Sequence, residues 1–370
     1  SVVYKAKLAA SIKIMRPNLD KNILSIVWIY CILFIAGCGG CEKDKPLQHI
    51  ELKPEAKELE VHFKRFDDDL FNADLSNPPL ACQQLYQKYG SFFCNFVEND
   101  LRLAQCQSDS VGRLLTPMVQ NNDIQKSRQE VKAFFTEAKI ETLKTDFTGL
   151  VQRWHHFFPD SLVPTIVFYQ SAWNNNIAPV DSAIGIALDC YLGADHEITK
   201  KLPKEIFPNY KKANMDERYI VPDAAKGWVA MQSRSYYQPG DFLNELVFYG
   251  KLMYLAEALV PEISDARMMT WSDEEQQWAE KNEYRVWKEM ANEKVMFQTR
   301  KFEIAKWFDD APFTNAQSIP QDSPPQLGVW MGWKIIRQYM EANPTITLQE
   351  LLEEKDNRKI LSAFKPAKPA

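Results

Sequence analysis

The residues of this chain that could do chemistry are few, and their spacing matches no standard catalytic arrangement. The histidines are His49, His62, His155, His156 and His196. None belongs to an H-E-x-x-H stretch, which places two imidazoles on one helical face around zinc with a glutamate as base. His155 and His156 are adjacent, so on a helix they diverge by about 100° and read as surface or interface residues. Asp195-His196 follow the run "ALDCYLG" and, with Asp189, make an atypical ligand set on which an active metal-dependent envelope hydrolase could be built. The triplet Asp67-Asp68-Asp69 lacks the spaced oxygen ligands and glycine of a calcium loop, and reads as a solvated turn or helix cap. There is no G-x-S-x-G, no P-loop and no G-x-G-x-x-G. The residues thus nominate no catalytic group, no metal site beyond that alternative set, and no soluble cofactor.

Cys38-Gly39-Gly40-Cys41 spells C-x-x-C, but two thiols leave zinc two ligands short and no second pair follows. Its surroundings give it another meaning. From Met15 the chain runs through a basic start (Arg16, Lys21), an apolar stretch from Ile23 to Gly37, and then Cys38. An apolar core of about 15 residues has the length of a signal-peptide core and falls short of a spanning helix, which needs roughly 20. Ile35-Ala36-Gly37-Cys38 is similar to a bacterial lipobox, in which the cysteine is lipidated and becomes the mature N-terminus. The expected divisions are therefore an upstream segment over 1–14, a signal peptide over 15–37, a lipid-anchored linker over 38–55 and one globular domain over 56–366. A lipid on Cys38 is the covalent group expected, and it faces the chain toward the periplasm. That compartment permits disulfides. Cys82, Cys94 and Cys106 lie at 12-residue spacing in a helical stretch, where one local bridge and buried free thiols are both open.

These candidates must be positioned by the elements around them. Of 370 residues, 45% are apolar and 25% charged, ordinary for a globular protein. A net charge of −5 with no basic stripe in the folded part excludes nucleic acid as a partner. Thirteen glycines are few for this length and favour helices over tight hairpins. Apolar spacing predicts helices near 78–104, 109–120, 122–137, 143–156, 219–233, 239–258, 272–291, 296–306, 325–342 and 347–354. Strands are expected at Thr165–Tyr169 and Ala183–Leu188, separated by the turn "NNN". The sum is a mainly α-helical α+β domain with a small sheet. Within it, "YGKLMYLAEALVP" (249–261) reads as a helix opening at Tyr249-Gly250-Lys251, and its glycine costs about 1 kcal/mol against alanine unless something requires it. Gly328 and Gly332, one turn apart, would let their helix approach a neighbour closely. Glu283 and Trp287, one turn apart in "EYRVW", offer a carboxylate and an aromatic wall.

An ordered series of segments resembles the gliding-motility lipoprotein GldB family of Bacteroidetes. It comprises the lipobox, "RFDDDLF" (65–71), "YGSFFCNFVEN" (89–99), "FFPDSLVPTIVFY" (157–169) and "IGIALDCYLG" (184–193). It continues with "YGKLMYLAEALVP" (249–261), "WAEKNEYRVW" (278–287), "APFTNAQSIPQDSPPQLGVWMGWKIIRQYM" (311–340) and "AFKP" (363–366). The resemblance implies a membrane-anchored component of the motility machinery whose partners are envelope or motility proteins or cell-wall peptide. That family is distantly similar to zinc peptidases of the zincin type. In those, an "LDxYLG"-like turn precedes an H-E-x-x-H helix, and a later helix begins with Glu-Gly, its Glu the third ligand. The resemblance then puts Tyr249 where the carboxylate would be and leaves no histidine in 222–233. It implies a zincin-like frame without its metal, a cleft lined by Tyr249, Lys251, Glu283 and Trp287, and function by binding. A structural lipoprotein that docks a partner is the other alternative.

Overall fold

Thr165–Tyr169 forms a strand paired on both sides, as its unbroken run of β-branched and aromatic residues requires. The computed structural model describes Leu47, residues 50–316 and residues 319–367, apart from the Glu293 side chain. Segments 1–14 and 15–37, Cys38 and most of the expected linker lie outside the described residues. The sheet has four strands in the order β1-β2-β4-β3: β1 Phe63–Arg65, β2 Thr165–Tyr169, β3 Ile177–Val180 and β4 Ala183–Ala187. β1 and β4 flank β2 in parallel, with Phe63 and Ala187 opposite Ile166 and Tyr169 respectively. β3 runs antiparallel on β4, with Ile177 opposite Ile186.

The central strands were legible in the sequence; the outer two were not. β1 is three residues of mixed character, and β3 contains Pro179, which only an edge strand tolerates. The principal helices are α1 Phe66–Phe71, α2 Pro78–Tyr89, α3 Ser110–Val119, α4 Asn122–Phe134, α5 Glu137–Phe157, α6 Ile220–Gln232, α7 Phe242–Leu259, α8 Glu283–Met290, α9 Leu327–Ala342, α10 Leu348–Glu353 and α11 Asn357–Ser362. The domain is α+β and mainly helical.

Several expected helices are divided. Gly90, at φ 52°, ends α2, and 91–100 continues as a short helix and a π turn. The stretch 272–291 breaks at Asn282, and 296–306 holds only the end of a short helix, Glu293–Met296, an irregular link and a second short helix, Lys301–Ala305. Cys94 and Cys106 are joined by a disulfide, while Cys82 and Cys190 are buried free thiols. Asp67 is not solvated: it is buried in the first turn of α1 and accepts both arms of Arg65, at 2.9 and 2.7 Å. Asp69 instead takes Lys88 and the Tyr89 hydroxyl.

Tyr249-Gly250-Lys251 does not open a helix. α7 begins seven residues earlier, at Phe242, where the Asp241 side chain accepts from Asn244 N at 3.1 Å. The requirement on Gly250 comes from tertiary packing. A Cβ there would lie 2.3 Å from the Gly332 carbonyl oxygen, and a Cβ on Gly332 would lie 2.1 Å from that of Leu246. Helices α7 and α9 therefore meet backbone to backbone. One turn and more along the same seam, Arg337 donates to Glu257 from Nε and Nη2, at 2.9 and 2.8 Å. It also grips Asp265 with both terminal nitrogens, and Trp333 Nε1 donates to Glu257 at 2.8 Å. Each buried charge in this group has a bonded counterpart, the condition under which burial is tolerated.

Gly250→Ala is expected to destabilise the protein by about 3 kcal/mol, because the added methyl meets backbone that cannot turn aside. Gly149, inside α5, has nothing within 4 Å of a built Cβ. Gly149→Ala should stabilise by about 0.5–1 kcal/mol through helix propensity alone. Denaturant unfolding of both variants checks the pair, and equal effects would refute the seam as the reason for Gly250.

Candidate functional site

The loop leaving β2 is bent by one buried carboxylate. Asp189 sits in the short 3₁₀ turn after β4; its Oδ1 accepts from Ser171 N at 3.0 Å and its Oδ2 from Trp173 N at 2.9 Å. Between and at those contacts Ala172 and Trp173 take φ of 53° and 60°. Non-glycine residues pay for this left-handed region, and a β-branched one most of all. Five such residues occur among those described, and three of them, Trp173, Thr270 (φ 59°) and Gln326 (φ 57°), line the same cleft. Each is held from behind. Thr270 Oγ1 accepts from Lys226 Nζ at 3.2 Å, and Leu327 N, beside Gln326, donates to Thr314 Oγ1 at 3.1 Å.

The cleft, of about 420 Å³, lies between the β2–β3 loop, the 3₁₀ turn and α6. Its centre is Asp223 on α6. Oδ2 accepts from the Tyr191 hydroxyl at 2.9 Å and from Asn176 Nδ2 at 3.2 Å, and Lys226 Nζ stands 3.0 Å from Oδ1. Three consecutive asparagines, Asn174 to Asn176, form one wall, and Lys211, Asn214 and Asp310 also line the cleft. Burial pushes the Asp310 carboxyl up against the opposing pull of Lys211 and Lys226. Beneath the wall, Asn175 Nδ2 donates to Asp100 Oδ1 at 2.5 Å, and burial raises that carboxyl too. Cys190 is a poor nucleophile here, since burial pushes its thiol well up and it donates to Asn175 O. The Trp173 indole N–H, buried at the rim, has no hydrogen-bond partner among the described residues. The whole arrangement offers oriented amides, one acid–ammonium pair and aromatic edges, which suit recognition of a polar, hydrogen-bonding ligand.

The residues nominated from sequence do not meet in one cleft. Tyr249 stacks on Phe308, with centroids 5.0 Å apart. Lys251, on the same helix, is buried and donates to Glu354 O at 2.6 Å; burial brings its ammonium down to about 8. It lines a separate cavity of about 500 Å³ with Tyr236, Asn244 and Glu354. Glu283 and Trp287 do share surroundings, but the chain's own C-terminal segment occupies them. Glu283 accepts from Ala367 N at 2.9 Å and from Lys334 at 2.5 Å, and Trp287 packs edge-on against Phe364. The alternative ligand set also fails to gather. Asp189 spends both oxygens on backbone, Asp195 is exposed, and His196 caps the short helix Glu197–Lys201 through Nδ1. Among the described residues the three-donor group close enough for an ion is Cys94, Glu98 and Cys106, and its sulfurs are joined to each other. The cleft residues that sequence reasoning passed over carried a faint signal: "NNN" read only as a turn, and Asp223 and Lys226 stand at the i, i+3 spacing of a helical pair.

A family model described as "Gliding motility protein GldB" matches residues 49–366. The chain belongs to the GldB gliding motility protein family. No curated protein and no solved structure matches it.

Burial pushes the Asp189 carboxyl up to about 6, against the lowering effect of its backbone N–H partners. Between about pH 4 and pH 6 the folded chain holds a proton that the unfolded chain has lost, so this group's contribution to stability falls as pH rises through that window and then levels off. Unfolding free energies of the wild type and Asp189→Asn should diverge by about 3 kcal/mol across it. Parallel pH profiles would show that Asp189 does not titrate there.

Proposed function

We propose that this GldB-family chain works as a periplasm-facing, membrane-anchored lipoprotein of the gliding-motility machinery, and that it acts by binding in the Asp223 cleft. The motility role is supported by the family match over 49–366. A lipid on Cys38 would supply the anchor; among the described residues no helix is long and apolar enough to cross a membrane. The Cys94–Cys106 disulfide suits an oxidising compartment.

One observation carries the choice of binding over catalysis. α6 is the long helix that follows the "LDCYLG" turn, and it presents Asp223 and Lys226 to the cleft, 3.0 Å apart. In the zincin-type peptidases the helix after that turn supplies metal donors. An ammonium supplies only N–H donors and no lone pair, so Lys226 acts here as a fixed cation that neutralises Asp223. The peptidase-like frame is part of this reading. It is supported by the order of the parts: parallel β2 and β4, an antiparallel edge strand, α6 against that strand, then α7. Tyr249, in the middle of α7, then belongs to the packing of that frame. The partners proposed for the cleft are an envelope or motility protein, or cell-wall peptide.

Replacing the chromosomal copy in a gliding host with Asp223→Asn/Lys226→Met should abolish or severely slow colony spreading while immunoblots show near-normal amounts of protein. Normal spreading at normal abundance would remove the cleft from the motility function.

A further inference from the structure

We infer that the groove between β3 and α6 receives an extended polypeptide segment, which pairs with β3 as an added strand; this deepens the binding role of the Asp223 cleft and rests on that reading. The parity of β3 is fixed by one bond. Ala187 N donates to Asn176 O at 3.0 Å, and the antiparallel register continues with Ala178 opposite Gly185 and Val180 opposite Ala183. Asn176, Ala178 and Val180 therefore spend their backbone groups on β4, and those of Ile177 and Pro179 point away from the sheet. β3 is the last strand in the order, and among the described residues no backbone bond from outside the sheet reaches Ile177 or Pro179. The outward edge thus holds one N–H and one C=O at Ile177 and a second C=O at Pro179.

Beside this edge runs a groove of about 500 Å³, lined by Ile177, Pro179, Gly227, Ala230 and Met231 and ended by Arg234. Asp223, Gly227, Ala230, Met231 and Arg234 fall on one face of α6 and its extension, at helical spacing. Asn176 and Asp223 line both this groove and the cleft, so the two are continuous. The floor is low, because Gly227 packs against Ile177 so closely that a Cβ would stand 3.0 Å from Ile177 Cγ2. A strand laid on this edge would alternate its side chains, every second one facing Gly227, Ala230 and Met231, which suits small or apolar groups. Its polar ends would meet Arg234 at one side and the Asp223–Lys226 pair with the asparagine wall at the other. Pro179 withholds a second N–H, so the edge favours a short segment over open-ended sheet growth. A helical partner surface or a sugar chain offers no matching row of backbone groups.

The test selects binders from a library of short random peptides displayed on phage, against the lipidated chain in detergent. Enriched sequences are made as labelled peptides and titrated by fluorescence anisotropy. Ile177→Pro removes the outward N–H without touching the β4 ladder, and should weaken binding about tenfold. Ala230→Trp, at an exposed position on α6, should block the groove without entering the core, and Ile177→Val should bind as the wild type does. Unchanged melting curves establish that the variants are folded. Equal affinity of wild type, Ile177→Pro and Ala230→Trp would overturn the strand pairing, as would a selection that enriches no peptide. If no peptide is enriched while Asp223→Asn/Lys226→Met still stops gliding, the cleft reading survives and the peptide is wrong. If peptides pair with β3 but gliding ignores the double variant, the cleft reading fails and the pairing stands.

Discussion

The backbone contact between Gly250 and Gly332 is the constraint on which the C-terminal half of this protein depends. Two helices cannot come this close with any side chain between them, since a single methyl on either glycine would overlap the other helix's peptide group. The seam sets the distance at which Arg337 can reach Glu257 and Asp265 together, and it fixes α9 against α7. Both walls of the cleft inherit that placement. Gln326, immediately before α9, lines the cleft on one side; α6, packed on α7, brings Asp223 and Lys226 from the other. A glycine that costs helix propensity in α7 is thus repaid by the position of residues well away from it.

A second constraint acts at the sheet. Asp189 is too deeply buried to be hydrated, and it is stabilised by two backbone N–H donors that exist only when Ala172 and Trp173 turn left-handed. The carboxylate and the turn require each other. The consequence is a fixed rim of Trp173 and the asparagines over Asp223, built with strained backbone of the kind that gathers at ligand sites. Tyr191, from the turn that also carries Asp189, reaches Asp223 directly, so the sheet end and α6 are tied at the centre of the cleft. Pre-organisation of this sort lowers the ordering cost of binding a flexible ligand.

Periodicity made α6, α7, α9 and α10 legible to within a few residues, and the β-branched runs gave β2 and β4. What it missed has physical causes. β1 is a strand because β2 offers it a partner, and Phe63-Lys64-Arg65 has no alternation long enough to announce itself. β3 exists on β4's edge in spite of Pro179. Gly90 divides a helix because of a backbone angle, which no apolar spacing reveals. Gly250 does not start a helix; it is required by the neighbour it meets, which lies 82 residues away in the chain and is invisible to local spacing. The cleft itself was hidden in residues that look like a turn and a solvated helix face. Their convergence is a tertiary fact. Glu283 and Trp287 stand one turn apart on α8, and no spacing in the sequence reveals that Ala367 bonds the one and Phe364 packs on the other.

On the proposed reading the cleft, with Lys226 Nζ 3.0 Å from Asp223 Oδ1, binds its ligand without a catalytic metal. Metal analysis by mass spectrometry of the untagged chain, purified without chelator, tests it most directly. The proposed binding role predicts less than about a tenth of an equivalent of zinc or any other transition metal, since a catalytic zinc needs about three protein donors and an open position. Near one equivalent, lost on Asp223→Asn, would contradict it and make the cleft a metal centre.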